Sequence, residues 1–322
     1  MDNEMQIQET ELDNLLDDDV EIEGKDIIKE ELNDEAIAVN RGSALNFDEA
    51  YKLIASCDTK IIYLIGPANS GKTTIETTLY QLFHDRSIED YYFAGSETLN
   101  AYEERAFTTR INSNNEYAQT TRTPLNSSDI FLHLRVWNSK NGKIRDLLFA
   151  DISGEEYRGV VGSVTKIREQ LGHIRCADYI VSIIDGEEII DTKLRLGAIE
   201  ETKNLIRTVY DAGLFKVQTR FQVVFSKYDL ILNDEKNNSK NFVEKQKNIL
   251  ESFFAGSIGR VEVFEVAAMP TQTESRCEIG YGINDLFLSW NVNSVFSKNK
   301  CKVLVNSEFN RLRYKLLGDS NE

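Results

Sequence analysis

The run GPANSGKT, Gly66 to Thr73, sets two glycines around four residues and follows them with a lysine and a hydroxyl side chain. This spacing suits a phosphate cradle. Gly66 and Gly71 let the main chain approach phosphate oxygens with no Cβ in the way. The N–H groups of Ala68, Asn69, Ser70, Gly71, Lys72, Thr73 and Thr74 can then converge as an anion nest at a helix N-terminus, whose partial positive charge adds to the attraction. Lys72 is placed to reach β- and γ-phosphates, and Thr73 to ligate Mg²⁺. The bland alternative is a tight strand-to-helix turn with an exposed lysine.

Two later motifs address the metal and the base. LLFADISGEEY ends a strand on Asp151 and forms D-x-x-G through Gly154. An Asp at such a strand end can hold Mg²⁺, and the Gly154 N–H can contact a γ-phosphate. VVFSKYDL carries Ser226, Lys227 and Asp229 in the pattern S-K-x-D. Guanine presents N1–H and an exocyclic amine side by side, and one carboxylate accepts from both, whereas adenine has no such donor pair on that edge. Asp229 therefore selects guanine, because leaving a buried carboxylate unpaired costs free energy. The stem of Lys227 can lie over the base, and a backbone N–H at Ala267 or Ala268, in EVAAMP, can meet the guanine oxygen.

These motifs need strands that end beside one another. β-branched and alternating apolar runs predict six strands, at 60–66, 129–137, 143–151, 177–185, 220–229 and 261–268. Asn141-Gly142 signals a hairpin between the second and third. Helical patterns at 46–56 (Asn46 as N-cap), 72–84, 98–108, 190–212 and 240–254 separate the rest. The expected fold is α/β: a mostly parallel six-stranded sheet with one antiparallel strand and helices on both faces, with functional loops at the strands' carboxyl ends. The expected organisation is an acidic disordered tail over 1–45, a nucleotide-binding domain over 46–290 with a long insert at 85–128, and a helical extension over 291–322.

Charge supports this division. Residues 1–36 hold 15 of the 53 Asp and Glu residues against Lys25 and Lys29 alone, so a net −13 of the chain's −16 lies in the tail. The body is close to neutral and shows no clustered basic groove for nucleic acid. The C-terminal stretch from Ser297 carries six basic residues against three acids and reads as a solvated helix face or a dock for the tail or a partner. No apolar run approaches the roughly 20 residues that span a bilayer, and the N-terminus lacks the pattern of a secretory leader, so a cytoplasmic protein is expected. Cys57, Cys176, Cys277 and Cys301 form no C-x-x-C pair and read as reduced thiols. His84, His133 and His173 show no metal spacing, His133 reading as a strand-face residue. Tyr91, Tyr92 and Phe93 read as core or partner surface.

Together, GPANSGKTT, FAGSETLNAYEERAF, ADISGEEY, ADYIVSIIDGEEI, VVFSKYDL and GYGINDLF resemble a Ras-type, translation-factor-related P-loop GTPase, and more narrowly the bacterial double-GTPase family, second type. The likeness covers roughly 46–290. It implies a switch that binds GTP or GDP with Mg²⁺, hydrolyses GTP, and works with protein partners in bacterial conflict systems. Three positions depart from the GTPase pattern. Ser226 stands where Asn is usual, Glu155 follows D-x-x-G where a water-orienting Gln is common, and no clean switch threonine appears. Thr121 and Thr123 precede the hairpin strand, and Thr123 is the favoured Mg²⁺ ligand. Catalytic candidates are Lys72, Glu155 and Arg122, the last as an arginine supplied in cis, with an exposed loop arginine as the alternative. A GTP-binding adaptor with negligible hydrolysis and an ATP-using P-loop enzyme are the rival readings.

Overall fold

Strict alternation along the central strands sends successive side chains into two separate cores, one on each face of the sheet. The computed structural model describes residues 42–107, 131–152, 154–256, 258–270 and 277–291. Its elements in chain order are α1 (Phe47–Ser56), β1 (Thr59–Ile65), α2 (Lys72–Asp85), β2 (Tyr91–Gly95), α3 (Leu99–Phe107), β3 (Phe131–Asn138), β4 (Ile144–Asp151), α4 (Gly154–Val160) and α5 (Val164–Gln170). A 3₁₀ turn (Gly172–Cys176) leads to β5 (Tyr179–Ile184), α6 (Gly186–Ile190), α7 (Arg195–Asp211), β6 (Arg220–Phe225), α8 (Tyr228–Asn233), α9 (Ser239–Ala255), β7 (Val261–Glu265) and α10 (Ile283–Trp290).

The sheet order is β2-β3-β4-β1-β5-β6-β7. β3 is antiparallel to both of its neighbours, while β4, β1, β5, β6 and β7 pair in parallel. Ile61, Tyr63 and Ile65 of β1 join residues of α5, α7 and α9 in one core. Ile62 and Leu64 join α2, α3 and α10 in the other. All six residues of β5 are buried, as a parallel strand covered on both faces requires. α10 is tied to the sheet by polar contacts as well: Trp290 Nε1 donates to Gln222 Oε1 at 2.9 Å, and the Tyr179 hydroxyl donates to the Ser289 carbonyl at 3.0 Å.

The sheet has seven strands, one more than the sequence pattern predicts. The addition is β2, which lies at the sheet edge with Tyr92 and Phe93 exposed and so shows no alternation to read. The two predicted strands that lead to the base-side motifs also end early. β6 stops at Phe225 and β7 at Glu265, because the S-K-x-D residues turn into α8 and the A-A residues leave the sheet as a loop. Helix α1 has the predicted cap, with the Asn46 and Glu49 side chains each accepting from the other's backbone N–H at 3.0 Å. Cys57, Cys176 and Cys277 are free thiols, and Cys301 lies outside the described residues. No helix among the described residues is long and apolar enough to cross a membrane.

His133 is more than a strand-face residue. It is fully buried, and its Nδ1 accepts from the Glu97 backbone N–H at 2.9 Å, which places the ring proton on Nε2, facing Asp146 Oδ1 at 2.6 Å. Arg135 Nε donates to the same oxygen at 2.7 Å. This network ties the β2–α3 turn to the sheet. Burial alone would raise the Asp146 carboxyl, but the hydrogen bonds from His133 and Arg135 outweigh it and hold it below its ordinary 3.8. A depressed carboxyl contributes stability that is present above its unfolded pKa and lost as pH falls through the lower folded value. Asp146→Ala is expected to cost about 3 kcal/mol in urea denaturation near neutral pH, because it leaves His133 and Arg135 without their acceptor. The gap between the variant and the parent should narrow in acid, below the ordinary aspartate range.

Candidate functional site

β1 ends at Ile65 and the chain turns at once into the glycine loop. A Cβ on Gly66 would stand 2.7 Å from the Ile183 carbonyl oxygen, so the loop starts pressed against β5 where only glycine fits. Gly71, at φ 87°, is the N-cap of α2 with no side-chain bond to the helix amides, which leaves them to face the loop. Lys72 is only 7% exposed, and its ammonium donates to the Gly66 and Pro67 carbonyls at 3.0 and 2.9 Å. The cation is thus folded over the loop that the sequence assigns to phosphate. Thr73 is buried beside it. The Ser70 Oγ is buried with no hydrogen-bond partner among the described residues. Asn69 takes the left-handed conformation at φ 64°, and Ala68 and Asn69 are exposed at the loop tip.

The D-x-x-G turn lies directly against this loop. Asp151 closes β4 opposite Leu64 of β1, and the Ile152 N–H donates to the Leu64 carbonyl at 3.3 Å. A Cβ on Gly154 would overlap the Ala68 main chain, so the turn and the loop touch backbone to backbone. The side chains of Asp151 and Glu155 lie outside the described part, and Thr121, Arg122 and Thr123 lie outside the described residues altogether.

The S-K-x-D turn reaches the same place from β6. A Cβ on Gly71 would lie 3.9 Å from Ser226 Cβ, so the phosphate loop and the base motif are neighbours. Ser226, where Asn is usual in such motifs, donates its hydroxyl to the Ile184 carbonyl at 3.0 Å and braces the turn against β5. Lys227 adopts φ 48°, a left-handed conformation uncommon outside glycine. Asp229 sits in the first turn of α8, 2% exposed. The Tyr228 N–H donates to the Val266 carbonyl at 3.1 Å, which ties α8 to the end of β7 and brings Ala267 and Ala268 alongside. The Ala267 N–H is committed to the Tyr281 carbonyl at 3.0 Å.

Sequence reasoning missed the acids behind this turn. Lys227 Nζ donates to Asp185 Oδ2 at 3.0 Å and to Glu187 Oε1 at 2.8 Å. The run ADYIVSIIDGEEI places an acid at a strand end before a glycine, but only the fold brings it to Lys227. Burial raises the Asp185 carboxyl, with Lys227 opposing. The Cys277 thiol is pushed up to about 11 by burial and by the nearby Asp229 carboxylate. Among the described residues no group of three or more His, Cys, Asp or Glu could hold a metal ion.

The residues fit an anionic ligand next to a planar donor-bearing one: a glycine loop opening a helix with a buried ammonium on one side, a buried carboxylate on the other. Solved structures similar to the chain include a bacterial selenocysteine-specific elongation factor EF-Sec, at 16% identity and TM-score 0.37 over 73% of this chain. Others are the S. cerevisiae Ski7 GTPase-like domain bound to GTP, at 13%, 0.39 and 75%, and the signal recognition particle receptor SRb-GTP/SRX complex from Chaetomium thermophilum, at 13%, 0.36 and 66%. The chain spans 29% of the elongation factor, 51% of the Ski7 domain and 93% of the receptor chain. Comparison with curated proteins found no match. A family model described as Double-GTPase 2 matches residues 60–291, a span that holds every strand but the first residue of β1 together with the glycine loop, D-x-x-G and S-K-x-D. The chain belongs to the Double-GTPase 2 family.

Proposed function

We propose that the chain is a Mg²⁺-dependent GTP hydrolase that serves as a molecular switch, turns over slowly alone, and works with protein partners of a bacterial conflict-type system. The observation that carries this reading is the meeting of the glycine loop with the base motif, Gly71 against Ser226, with buried Asp229 two residues beyond Lys227. In this reading Lys72 and the amides from Ala68 to Thr74 hold the phosphates, that of Ser70 after it leaves the Pro67 carbonyl, to which it donates at 3.4 Å. Lys227 covers the base, Asp229 accepts from the paired guanine donors, and Ser226 braces the turn. Ala268 supplies the amide for the guanine oxygen, since that of Ala267 is engaged.

Thr73, Asp151 and Thr123 are the residues that would hold Mg²⁺, which when bound neutralises charge on β- and γ-phosphate oxygens. The Gly154 N–H senses the γ-phosphate, and its contact with Ala68 makes the D-x-x-G turn responsive to what the loop holds. Water attacks the γ-phosphorus in line while the bond to the β–γ bridging oxygen breaks, GDP leaves with that bond's electron pair, and the water's proton ends on the released phosphate. Glu155 orients it, and Arg122 stabilises charge on the transferring group. A GTP-binding adaptor with negligible hydrolysis is the second reading, favoured by Glu155, a carboxylate that the γ-phosphate repels.

Nucleotide released from the denatured, purified protein tests the class directly: GDP or GTP is expected, and ADP or ATP would overturn the reading. Asp229→Asn should weaken guanine nucleotide binding at least about tenfold and shift preference to xanthine nucleotides, measured by calorimetry. Arg122→Ala should slow single-turnover hydrolysis by about a thousandfold at saturating GTP while binding is kept. An unchanged rate removes Arg122 from the mechanism.

A further inference from the structure

Lys227 is held from behind by two carboxylates for which the reading above has no use. Asp185 is buried at the end of β5, where its side chain caps α6 by accepting from the Glu187 N–H at 3.0 Å. The same carboxylate, through Oδ2, receives the Lys227 ammonium, and Glu187 receives it from the solvent side. Between them Gly186 packs so tightly under the base motif that a Cβ would overlap the Ser226 and Lys227 carbonyls. The β5–α6 turn and the S-K-x-D turn are therefore one packed unit, and the ion pair closes it.

We propose that Asp185, with Glu187 as its outer arm, is a positioning residue that pins the Lys227 ammonium so that the side-chain stem forms a ready-made wall for the guanine ring. The inference rests on the guanine-nucleotide reading and deepens it. A lysine stem has many rotamers, and ordering it before the ligand arrives removes that cost from binding. The strained left-handed backbone at Lys227 aims the stem, and the two acids hold its end. The charged groups that face Asp185 are Lys227 from the β6–α8 turn and Glu187 and Glu188 on its own helix. Glu201 of α7 and Arg158 of α4 act on Glu188. Lys227 is thus the cation on which Asp185 acts.

The test is calorimetry of the nucleotide-stripped full chain with GDP and Mg²⁺. Asp185→Asn keeps an oxygen to cap α6 and removes the charge. It should weaken GDP binding about tenfold with little change in the melting temperature of the nucleotide-free protein. Because burial raises the Asp185 carboxyl, the parent should lose affinity as pH falls toward that raised value, and Asp185→Asn should lack this component. Lys227→Met combined with Asp185→Asn should bind no worse than Lys227→Met alone. For Asp185→Asn, GDP affinity within twofold of the parent, additive losses in the double variant, or an unaltered pH profile would each overturn the proposal. If Asp185→Asn fails to fold, Glu187→Gln at its exposed position carries the test, with an expected loss of about twofold, and undiminished GDP affinity in that variant overturns the proposal. A parent chain that binds no GDP defeats the guanine reading itself, whereas a parent that binds GDP as tightly as its variants defeats only the role of Asp185.

Discussion

Gly66 lies against the Ile183 carbonyl, Gly154 against Ala68, and Gly186 under Ser226 and Lys227. At each of these points two stretches of main chain approach more closely than a side chain permits. The loops after β1, β4, β5 and β6 meet there. Parallel strands deliver those loops to one edge of the sheet, and the glycines let them close on one another. The glycine loop and the buried carboxylate of Asp229 owe their proximity to that contact. A methyl group at any of the three would push apart loops that must act together.

Charge is distributed to match. Lys72 and Lys227 are cations of the site among the described residues, and each is held by its surroundings, the first by loop carbonyls and the second by Asp185 and Glu187. A fixed cation recognises a ligand with less ordering than a free one. A separate buried ionic cluster, His133, Asp146 and Arg135, braces the β2–α3 turn. That turn leads into α3, so the network stabilises the stretch of chain that ends at Phe107.

Much of the fold is legible because burial on both faces leaves a strong mark. The apolar runs of β1, β5 and β6 identify central strands, and the Asn141-Gly142 turn identifies the hairpin. β2 is not legible, because its five residues show no alternation of burial and its aromatic residues suit several environments. Short helices such as α6 and α8 escape too, since five or six residues hold less than two turns of periodicity.

For the site, the residue types and spacing of GPANSGKT, D-x-x-G and S-K-x-D were sufficient to propose phosphate, metal and base contacts, since those contacts depend on local geometry within one turn. Relations across the sheet were decided by tertiary structure alone: Asp185 on Lys227, 42 residues apart in sequence, Gly154 on Ala68, and the Ala267 amide spent on Tyr281. A local motif records what one loop can offer. Which loops face each other, and which polar groups are already satisfied, depends on strand order and register, and these arise from the packing of the whole sheet.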